Sequence, residues 1–488
     1  MNRTLNDILE GLSFIREGGD RLQSIERIVF DSRQAGPSTL FFAIKGVQTD
    51  GHRYLNAVID SGCRAIITSE PIETSEKVYQ GVVKDTQHAL AICASAFFGH
   101  PSKKLTLIGV TGTNGKTTTT TLLYDVFMGM GFHAGLLSTV VNKIGNKEIT
   151  ATHTTPDSIN LNRLLAEMVE DGCTHCFMEV SSHAVHQHRV TGLDFNGGVF
   201  TNITHDHLDY HQTFSAYIDA KKGFFDALNS SSFSLVNADD KHAAVMVQNT
   251  RSEAHTFALK NPADFKARIL ENQFNGLVLN LDGTEVYTRL IGDFNAYNLL
   301  AVYGVSRLLG VEKMDVLTAI SELHSVEGRF QQYRSSTGIT AIIDYAHTPD
   351  ALENVLSTIR SIRNKNERIL TVVGCGGDRD RDKRPKMAKI ACQMSDQVVL
   401  TSDNPRSEDP EVIIAEMLAG ITQVEDEIKT LVITDRTQAI KTAIAMAQPN
   451  DIVLIAGKGH EKYQEIKGVR FDFDDLEITI ELFKKLGK

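Results

Sequence analysis

The ten residues Gly109-Val-Thr-Gly-Thr-Asn-Gly-Lys-Thr-Thr118 constrain this chain more than any other feature, because of what stands on either side of them. Leading into them runs Leu105–Val110, a mostly apolar stretch, interrupted by Thr106, of the kind a buried parallel strand needs. After them Leu122, Leu123, Val126, Phe127 and Met130 recur at helical spacing, and Gly131 stands where a helix stop is expected. Strand, glycine loop and helix in that order predict a phosphate-binding loop. Glycines let backbone N–H groups curl around a polyphosphate, and the helix N-terminus adds a favourable dipole. Lys116 would neutralise the β and γ phosphates, and the Thr117 hydroxyl could reach a Mg2+ ion. The strict Walker pattern needs glycine at 110, where this chain has Val110, so Gly112 and Gly115 frame a shorter loop. Gly112, Thr113, Asn114, Gly115, Lys116, Thr117 and Thr118 are the candidate nucleotide-binding residues of this segment.

At 488 residues the chain is too long for one core, and ~150 residues per domain predicts about three. Residues 1–100 alternate β-rich runs (Ile25–Asp31, Leu40–Ile44, Ala65–Thr68, Gly81–Val83) with a helical pattern at Tyr54–Ser61. His100-Pro101-Ser102 then punctuates the chain, and residues 101–330 carry the phosphate loop. Further strands there end in reactive residues: Cys176–Val180 delivers Glu179, and Gly198–Ile203 leads into Thr204-His-Asp-His207. After Gly328-Arg329, residues 331–488 alternate strand-like runs (Ile339–Asp344, Ile369–Val373, Gln397–Thr401, Leu431–Thr434, Asp451–Ala456) with helical segments. The fold class expected is α/β, three domains, with mainly parallel sheets in the second and third. Ligands of such sheets gather at the carboxyl ends of strands. The polar clusters Asp344–His347, Gly374–Asp380, Asp403–Arg406 and Gly457–Glu461 all follow strands.

Composition narrows the partners. Fifty Lys and Arg against 61 acidic residues give a formal charge of −11, which argues against broad binding to nucleic acid. The N-terminal MNRTLNDILEGLSFIREGG lacks the apolar stretch of a secretion signal, and no segment approaches the ~20 apolar residues that span a bilayer. A cytoplasmic protein with no membrane insertion is expected. Among six cysteines only Cys173-Thr-His-Cys176 has a metal-like or redox-like spacing, and without a second pair it reads as buried reduced thiols. Histidines at 183, 186, 188, 205, 207 and 211 invite a zinc hydrolase, but no His-Glu-x-x-His pair exists. The glycines at 374, 376 and 377 lack the third glycine of a dinucleotide fingerprint, Arg379 standing in its place.

Glu179 is a second candidate. A carboxylate at a strand end beside a phosphate loop is where a Mg2+ ligand is needed, since hard cations take oxygen. Spacing alone gives His207 and Lys221 no role: the first fits a capped helix start, the second a solvated charge.

These residues together make the chain resemble the Mur ligases, which build the peptide of bacterial cell-wall precursors. Thr111-Gly-Thr-Asn-Gly-Lys-Thr117, Glu179-Val-Ser-Ser-His183, Thr201-Asn-Ile-Thr204, Asp206-His-Leu-Asp-Tyr-His211, Asn295-Ala-Tyr-Asn298, Asp344-Tyr-Ala-His347 and Gly457-Lys-Gly-His-Glu461 are similar to that family's motifs in its order. Asp31-Ser-Arg33, Gly46-Val-Gln-Thr-Asp-Gly51 and Asp403-Asn-Pro-Arg406 are similar to the branch that joins meso-diaminopimelate to UDP-N-acetylmuramoyl-L-alanyl-D-glutamate.

The resemblance implies a UDP-muramoyl-binding domain (1–100), a central ATPase domain (101–330) and a Rossmann-like domain (331–488) that presents the amino acid. It implies a catalytic set of Lys116, Glu179, His207 and Lys221, with Lys221 carbamylated and Thr117, Glu179, His207 and Lys221 holding Mg2+. Asn295, Asn298, Arg329, Asp344 and His347 would join the phosphate loop around ATP. Phe30, Ser32, Val47, Gln48, Thr49, Thr154, Thr155, Ser181, Gln187 and Arg189 would hold the UDP-muramoyl-dipeptide. Arg379, Asp403, Asn404, Pro405, Arg406, Gly457 and Glu461 would bind diaminopimelate. ATP would phosphorylate the D-glutamyl γ-carboxylate and an amine would displace the phosphate, in a monomer whose domains close to exclude water. The rivals are the same ligase using L-lysine, a folylpolyglutamate or cyanophycin synthetase, and a P-loop NTPase switch.

Overall fold

A computed structural model describes residues 3–46, 49–151, 153–204, 208–364 and 366–488. The chain is mixed α/β and is built on three main sheets in chain order. The first has five strands, arranged 16–18, 79–82, 65–68, 39–42 and 27–29, parallel except where Arg16–Gly18 meets Tyr79–Val82. The helix Thr86–Phe97 covers it, its first turn capped by the Asp85 carboxylate. The helix read at Tyr54–Ser61 begins one turn earlier, as a 3-10 turn at Gly51–Tyr54 that runs into the helix Leu55–Asp60.

The second sheet has eleven strands. Its parallel centre runs 134–137, 175–179, 106–111, 197–200, 233–237, 253–258, 265–273. The strand Thr106–Thr111 is buried along almost its whole length because helices pack on both faces of the sheet. On one face lies the helix Lys116–Gly129, whose Leu122, Leu123, Val126 and Phe127 are fully buried. It ends as its sequence predicts, with Gly131 at φ +88° and Phe132 N donating to Phe127 O.

Sequence reading did not anticipate the antiparallel edges of this sheet. The strands Phe265–Gln273, Gly276–Leu281 and Thr284–Thr288 form a meander, and Val141–Ile144 with Lys147–Thr150 a hairpin. Of these, Lys147–Thr150 and Phe265–Gln273 are largely open to water, so they lack the apolar runs of the central strands. Their turns were the readable signal: Asp282-Gly283 sits at φ +49° and +81°, the conformation a tight hairpin demands.

The third sheet runs 331–334, 340–344, 452–456, 369–373, 397–400, 430–432, parallel except for its first strand. The final strand in sequence, Ile452–Ala456, inserts between Thr340–Asp344 and Ile369–Val373. The chain order therefore reverses there, and the loops after these strands open a crevice. A hairpin, Tyr463–Ile466 with Val469–Asp472, stands over those loops. At the junction with the central sheet, a Cβ on Gly328 would lie 2.1 Å from His460 N, so the two backbones pack directly on each other.

Candidate active site

The phosphate loop lies between Glu179 and Thr201 because its strand pairs Val110 with both Glu179 and Val199. Gly112 (φ +155°) and Gly115 (φ +88°) turn the chain where a Cβ would lie 1.9 Å from Thr201 Oγ1 and 2.7 Å from Asn298 Oδ1. Only glycine fits such approaches. Asn202 pins the loop from outside: its carbonyl accepts from Thr113 N at 2.8 Å, and its Oδ1 from Asn114 N at 2.9 Å. Lys116 Nζ donates to the carbonyls of Gly112 (2.9 Å) and Thr113 (2.8 Å), so its charge lies over the loop. Thr117 and Thr118 are buried in the first helical turn.

Lys221 corrects the reading of a solvated charge. It is 1% exposed, and its Nζ donates to Gly112 O at 2.8 Å and sits 4.5 Å over the Tyr217 ring. Two lysine amines thus share one carbonyl acceptor, an arrangement that favours an anion beside them. Glu179 is also 1% exposed; its Oε1 accepts from Thr139 N at 2.7 Å, while its Oε2 is buried with no hydrogen-bond partner among the described residues. A carboxylate oxygen without a partner costs several kcal/mol unless a cation reaches it, about the scale of an unpaired buried charge. The donor set here therefore fits a hard divalent cation. His207 lies outside the described residues.

Arg329 links this loop to the third domain. Its Nη2 lies 3.3 Å from Thr117 Oγ1, and its guanidinium sits 4.3 Å over the Tyr345 ring. Tyr345 in turn contacts the rings of His347 (4.5 Å) and His460 (5.1 Å). Asp344 braces the junction, accepting from Phe330 N (2.7 Å) and Ala346 N (2.8 Å); burial raises its pKa and Arg329 opposes the rise. Asn295 and Asn298 are buried and joined by a 3.0 Å hydrogen bond, and Asn298 Oδ1 accepts from Thr119 at 3.3 Å.

Of the residues expected at the UDP-muramoyl-dipeptide, four cluster. Arg189 donates to Thr155 O (2.7 Å) and twice to Gln187 Oε1 (3.0 and 2.7 Å), and Ser181 Oγ lies 3.5 Å from Thr155 Oγ1. Burial lowers the pKa of Arg189. Thr154 accepts from Thr139 Oγ1 at 3.1 Å, beside Glu179. Phe30 and Thr49 sit on loops of the first domain, Phe30 with 42% exposure, and Ser32 opens the 3-10 turn Ser32–Gln34. Val47 and Gln48 lie outside the described residues.

In the third domain Asp403, Asn404, Pro405, Arg406, Gly457 and Glu461 converge. Gly457 (φ +117°) presses its backbone on Asp403, for a Cβ there would meet Oδ2 at 2.5 Å. Asn404 Nδ2 donates to Glu461 Oε2 at 2.6 Å. Arg406 takes the left-handed conformation (φ +51°), and its Nη1 donates to Gly377 O at 2.7 Å. Burial, then Asp403, raise the pKa of Glu461. Arg379 is exposed and donates to Asp378 O. Two carboxylates and a guanidinium thus stand on neighbouring loops here, groups that pair with an ammonium and with a carboxylate.

Sequence reading passed over four residues of this region. Asn202 and Lys458 lie inside quoted motifs, and Tyr217 lies one helical turn before Lys221. Asp350 bridges domains: its Oδ2 accepts from Asn114 Nδ2 (2.8 Å) and Thr204 Oγ1 (3.0 Å). Its position six residues after Asp344 was the available signal. Cys173 and Cys176 are buried free thiols, their pKa values raised by burial. His133 and Asp171, near Cys173, are already hydrogen-bonded to each other at 2.7 Å. No helix among the described residues is long and apolar enough to cross a membrane.

Comparison with known proteins gives the same answer along the whole chain. Residues 24–105 match the model of the Mur ligase family catalytic domain, 110–306 the Mur ligase middle domain, and 328–459 the Mur ligase glutamate ligase domain. A UDP-N-acetylmuramoyl-L-alanyl-D-glutamate--2,6-diaminopimelate ligase from Cytophaga hutchinsonii is 53% identical over 486 residues, 99% of this chain and 100% of that one. The ligase of the same name from Bacteroides fragilis is 51% identical over 480 residues, 98% of this chain and 99% of its own. A solved structure of a ligase of that name superposes with a TM-score of 0.71 at 32% identity, each chain fully covered. The MurF ligase from Thermotoga maritima in complex with ADP shares the fold (TM-score 0.61, 18% identity, 94% of this chain and 97% of that one). The chain belongs to the Mur ligase family.

Proposed function

We propose that the chain is an ATP-dependent amide ligase that joins meso-diaminopimelate to UDP-N-acetylmuramoyl-L-alanyl-D-glutamate in peptidoglycan precursor synthesis, working as a cytoplasmic monomer. One observation carries this reading: the phosphate loop and the cluster of Asp403, Arg406 and Glu461 meet at one junction, through Thr117, Arg329, Tyr345 and the His460–Glu461 turn. The names of the similar ligases supply the two substrates.

A carboxylate does not react with an amine at neutral pH, so the γ-carboxylate must be activated. Its oxygen attacks the γ-phosphorus of ATP, ADP leaves, and an acyl phosphate forms. The amine then attacks the acyl carbon, inorganic phosphate departs and the amine loses a proton. Lys116 and Arg329 act as preorganised cations for the transferring phosphoryl group. Asn295 and Asn298 would lie by the adenine, and His347 by the nucleotide at the junction. Thr117, Glu179, His207 and a Lys221 carbamate would hold Mg2+, which when bound spreads the charge developing on the phosphoryl oxygens. Carbamylation replaces an ammonium with an anionic oxygen ligand. The orphaned Glu179 Oε2 supports such a site.

Residues 1–100 would grip the UDP end, through Phe30, Ser32, Val47, Gln48 and Thr49. Thr154, Thr155, Ser181, Gln187 and Arg189 in residues 101–330 would steer the dipeptide toward the phosphate loop. Residues 331–488 would present the amino acid, with Arg379 and Arg406 on its distal carboxylate and Asp403, Asn404, Pro405, Gly457 and Glu461 around its ammonium. Mixing enzyme, ATP, Mg2+ and the UDP-muramoyl-dipeptide with diaminopimelate or lysine, and weighing the product, tests this. A tripeptide made with diaminopimelate and not lysine is expected; equal use of lysine refutes the substrate assignment.

A further inference from the structure

Lys458 has no part in the reading above, yet it lies among the residues assigned to the amino acid, touching Asn404 and Glu461. Its side chain is fully buried between Gly457 and Gly459, both at positive φ. Its Nζ donates to Asn404 Oδ1 at 3.1 Å, lies 3.3 Å from Glu461 Oε2, and donates to the carbonyl of Tyr463. Asn404 Oδ1 also accepts from Glu465 N at 2.9 Å, while Asn404 Nδ2 donates to the same Glu461 oxygen. One ammonium therefore fixes both the carboxylate and the amide of the pocket wall. A buried ammonium is costly unless compensated, and compensation by Asn404 and Glu461 ties its charge to the site.

The charges then balance in a specific way. The buried Arg436 beside them is neutralised by Asp475 (2.7 Å), so Asp403 and Glu461 contribute two negative charges and Lys458 one positive charge, leaving one for an incoming ammonium, and Arg406 matches one carboxylate. Without Lys458 the two carboxylates would confront each other in a buried site, and one would take up a proton. We propose that Lys458 is the positioning residue of the pocket, holding Glu461 and Asn404 in place and setting one net negative charge opposite Arg406. The pocket so made accepts a zwitterionic terminus rather than a bare amine. This rests on the proposed ligase function.

The groups that face Glu461 are Lys458 on its own turn, Asp403 on the loop after Gln397–Leu400, Tyr345 after Thr340–Asp344, Tyr463 on the hairpin and Arg436 on the helix Arg436–Met446. Of these, Lys458 is the cation that opposes the burial and Asp403 effects on Glu461. Removing it sends Glu461 toward its protonated form, which cannot hold an ammonium.

The test is steady-state ligation by wild type, Lys458→Met and Lys458→Met/Glu461→Gln, with diaminopimelate and lysine varied across the neutral pH range. For Lys458→Met, KM for diaminopimelate should rise at least tenfold and fall again as pH rises, KM for ATP should stay within twofold, and the preference for diaminopimelate over lysine should shrink. The double variant, in which the net charge returns to minus one through Asp403 alone, should lose the added pH dependence. If Lys458→Met does not fold, the double variant should, because the unbalanced carboxylate is gone. A pH-independent KM with unchanged preference in Lys458→Met, or a double variant that behaves or misfolds like the single one, overturns the proposal. Wild type that makes no product with any amino acid overturns the proposed function instead.

Discussion

Arg406 offers a test in which stability and function should move in different directions. Its φ of +51° lies in the left-handed region, which costs a residue with a Cβ ~1–2 kcal/mol. That strain holds the guanidinium over the Gly374–Asp378 loop, where Nη1 donates to Gly377 O and would lie 2.8 Å from a Cβ on Gly376. The backbone is held in turn by Glu465 O, which accepts from Arg406 N at 3.0 Å, and by Lys467 N, which donates to Arg406 O at 2.6 Å. Replacing Arg406 with Ala removes the guanidinium and keeps the strain, whereas Gly removes both. After the extra unfolded-state entropy of glycine is subtracted, Arg406→Gly should be more stable than Arg406→Ala by about 1 kcal/mol. Both variants lose the grip on a distal carboxylate. Two charge-assisted hydrogen bonds at ~1.5–3 kcal/mol each set the range. One donor already occupied by Gly377 O places the loss near its lower end, ~100-fold in kcat/KM for diaminopimelate. Chemical denaturation gives the stability order; phosphate release at saturating ATP with diaminopimelate varied gives the kinetics. Variants that keep kcat/KM within tenfold of wild type, or a glycine variant less stable than the alanine one, would refute this account of the loop.

Lys116→Ala should abolish turnover and leave the circular dichroism spectrum unchanged; activity within tenfold of wild type, ~1.4 kcal/mol of barrier, sinks the assignment. Lys221→Ala should be nearly inactive and partly rescued by short carboxylic acids. Lys222→Ala should stay active, since Lys222 is partly buried and pairs with Asp226 (2.6 Å) one turn along the same helix; a fully active Lys221→Ala enzyme rules the carbamate out. The bond from Arg384 holds Glu408 at a pKa of about 2, below its unfolded value of ~4.3. Its contribution to stability is therefore complete above the unfolded value and is lost as pH falls toward the folded one. Glu408→Gln should flatten acid unfolding in that window, and an unchanged acid limb would show that the pair does not matter.

What the sequence determined by itself is the set of elements whose pattern is local. Ile369–Val373 and Ala65–Thr68 are strands at the residues read from sequence, because an unbroken apolar run has few other outcomes once its flanks are polar. The Gly109–Thr118 segment specified its strand, loop and helix for the same reason: glycine φ values and helix periodicity are properties of neighbouring residues. Its ten residues also carried the nucleotide chemistry into the first reading. Lys221 and Lys222 mark the limit. They are adjacent lysines on one helix, indistinguishable by type, and only the packing of that helix puts the first under Gly112, 109 positions away, while the second pairs with Asp226 one turn on. Lys458, read only as a letter in a motif, and Asp350, not read at all, gained their partners in the same way, from Asn404 and from Asn114. Burial and long-range hydrogen bonding decide whether a charged side chain is solvated, structural or part of a site, and both are set only when distant segments pack.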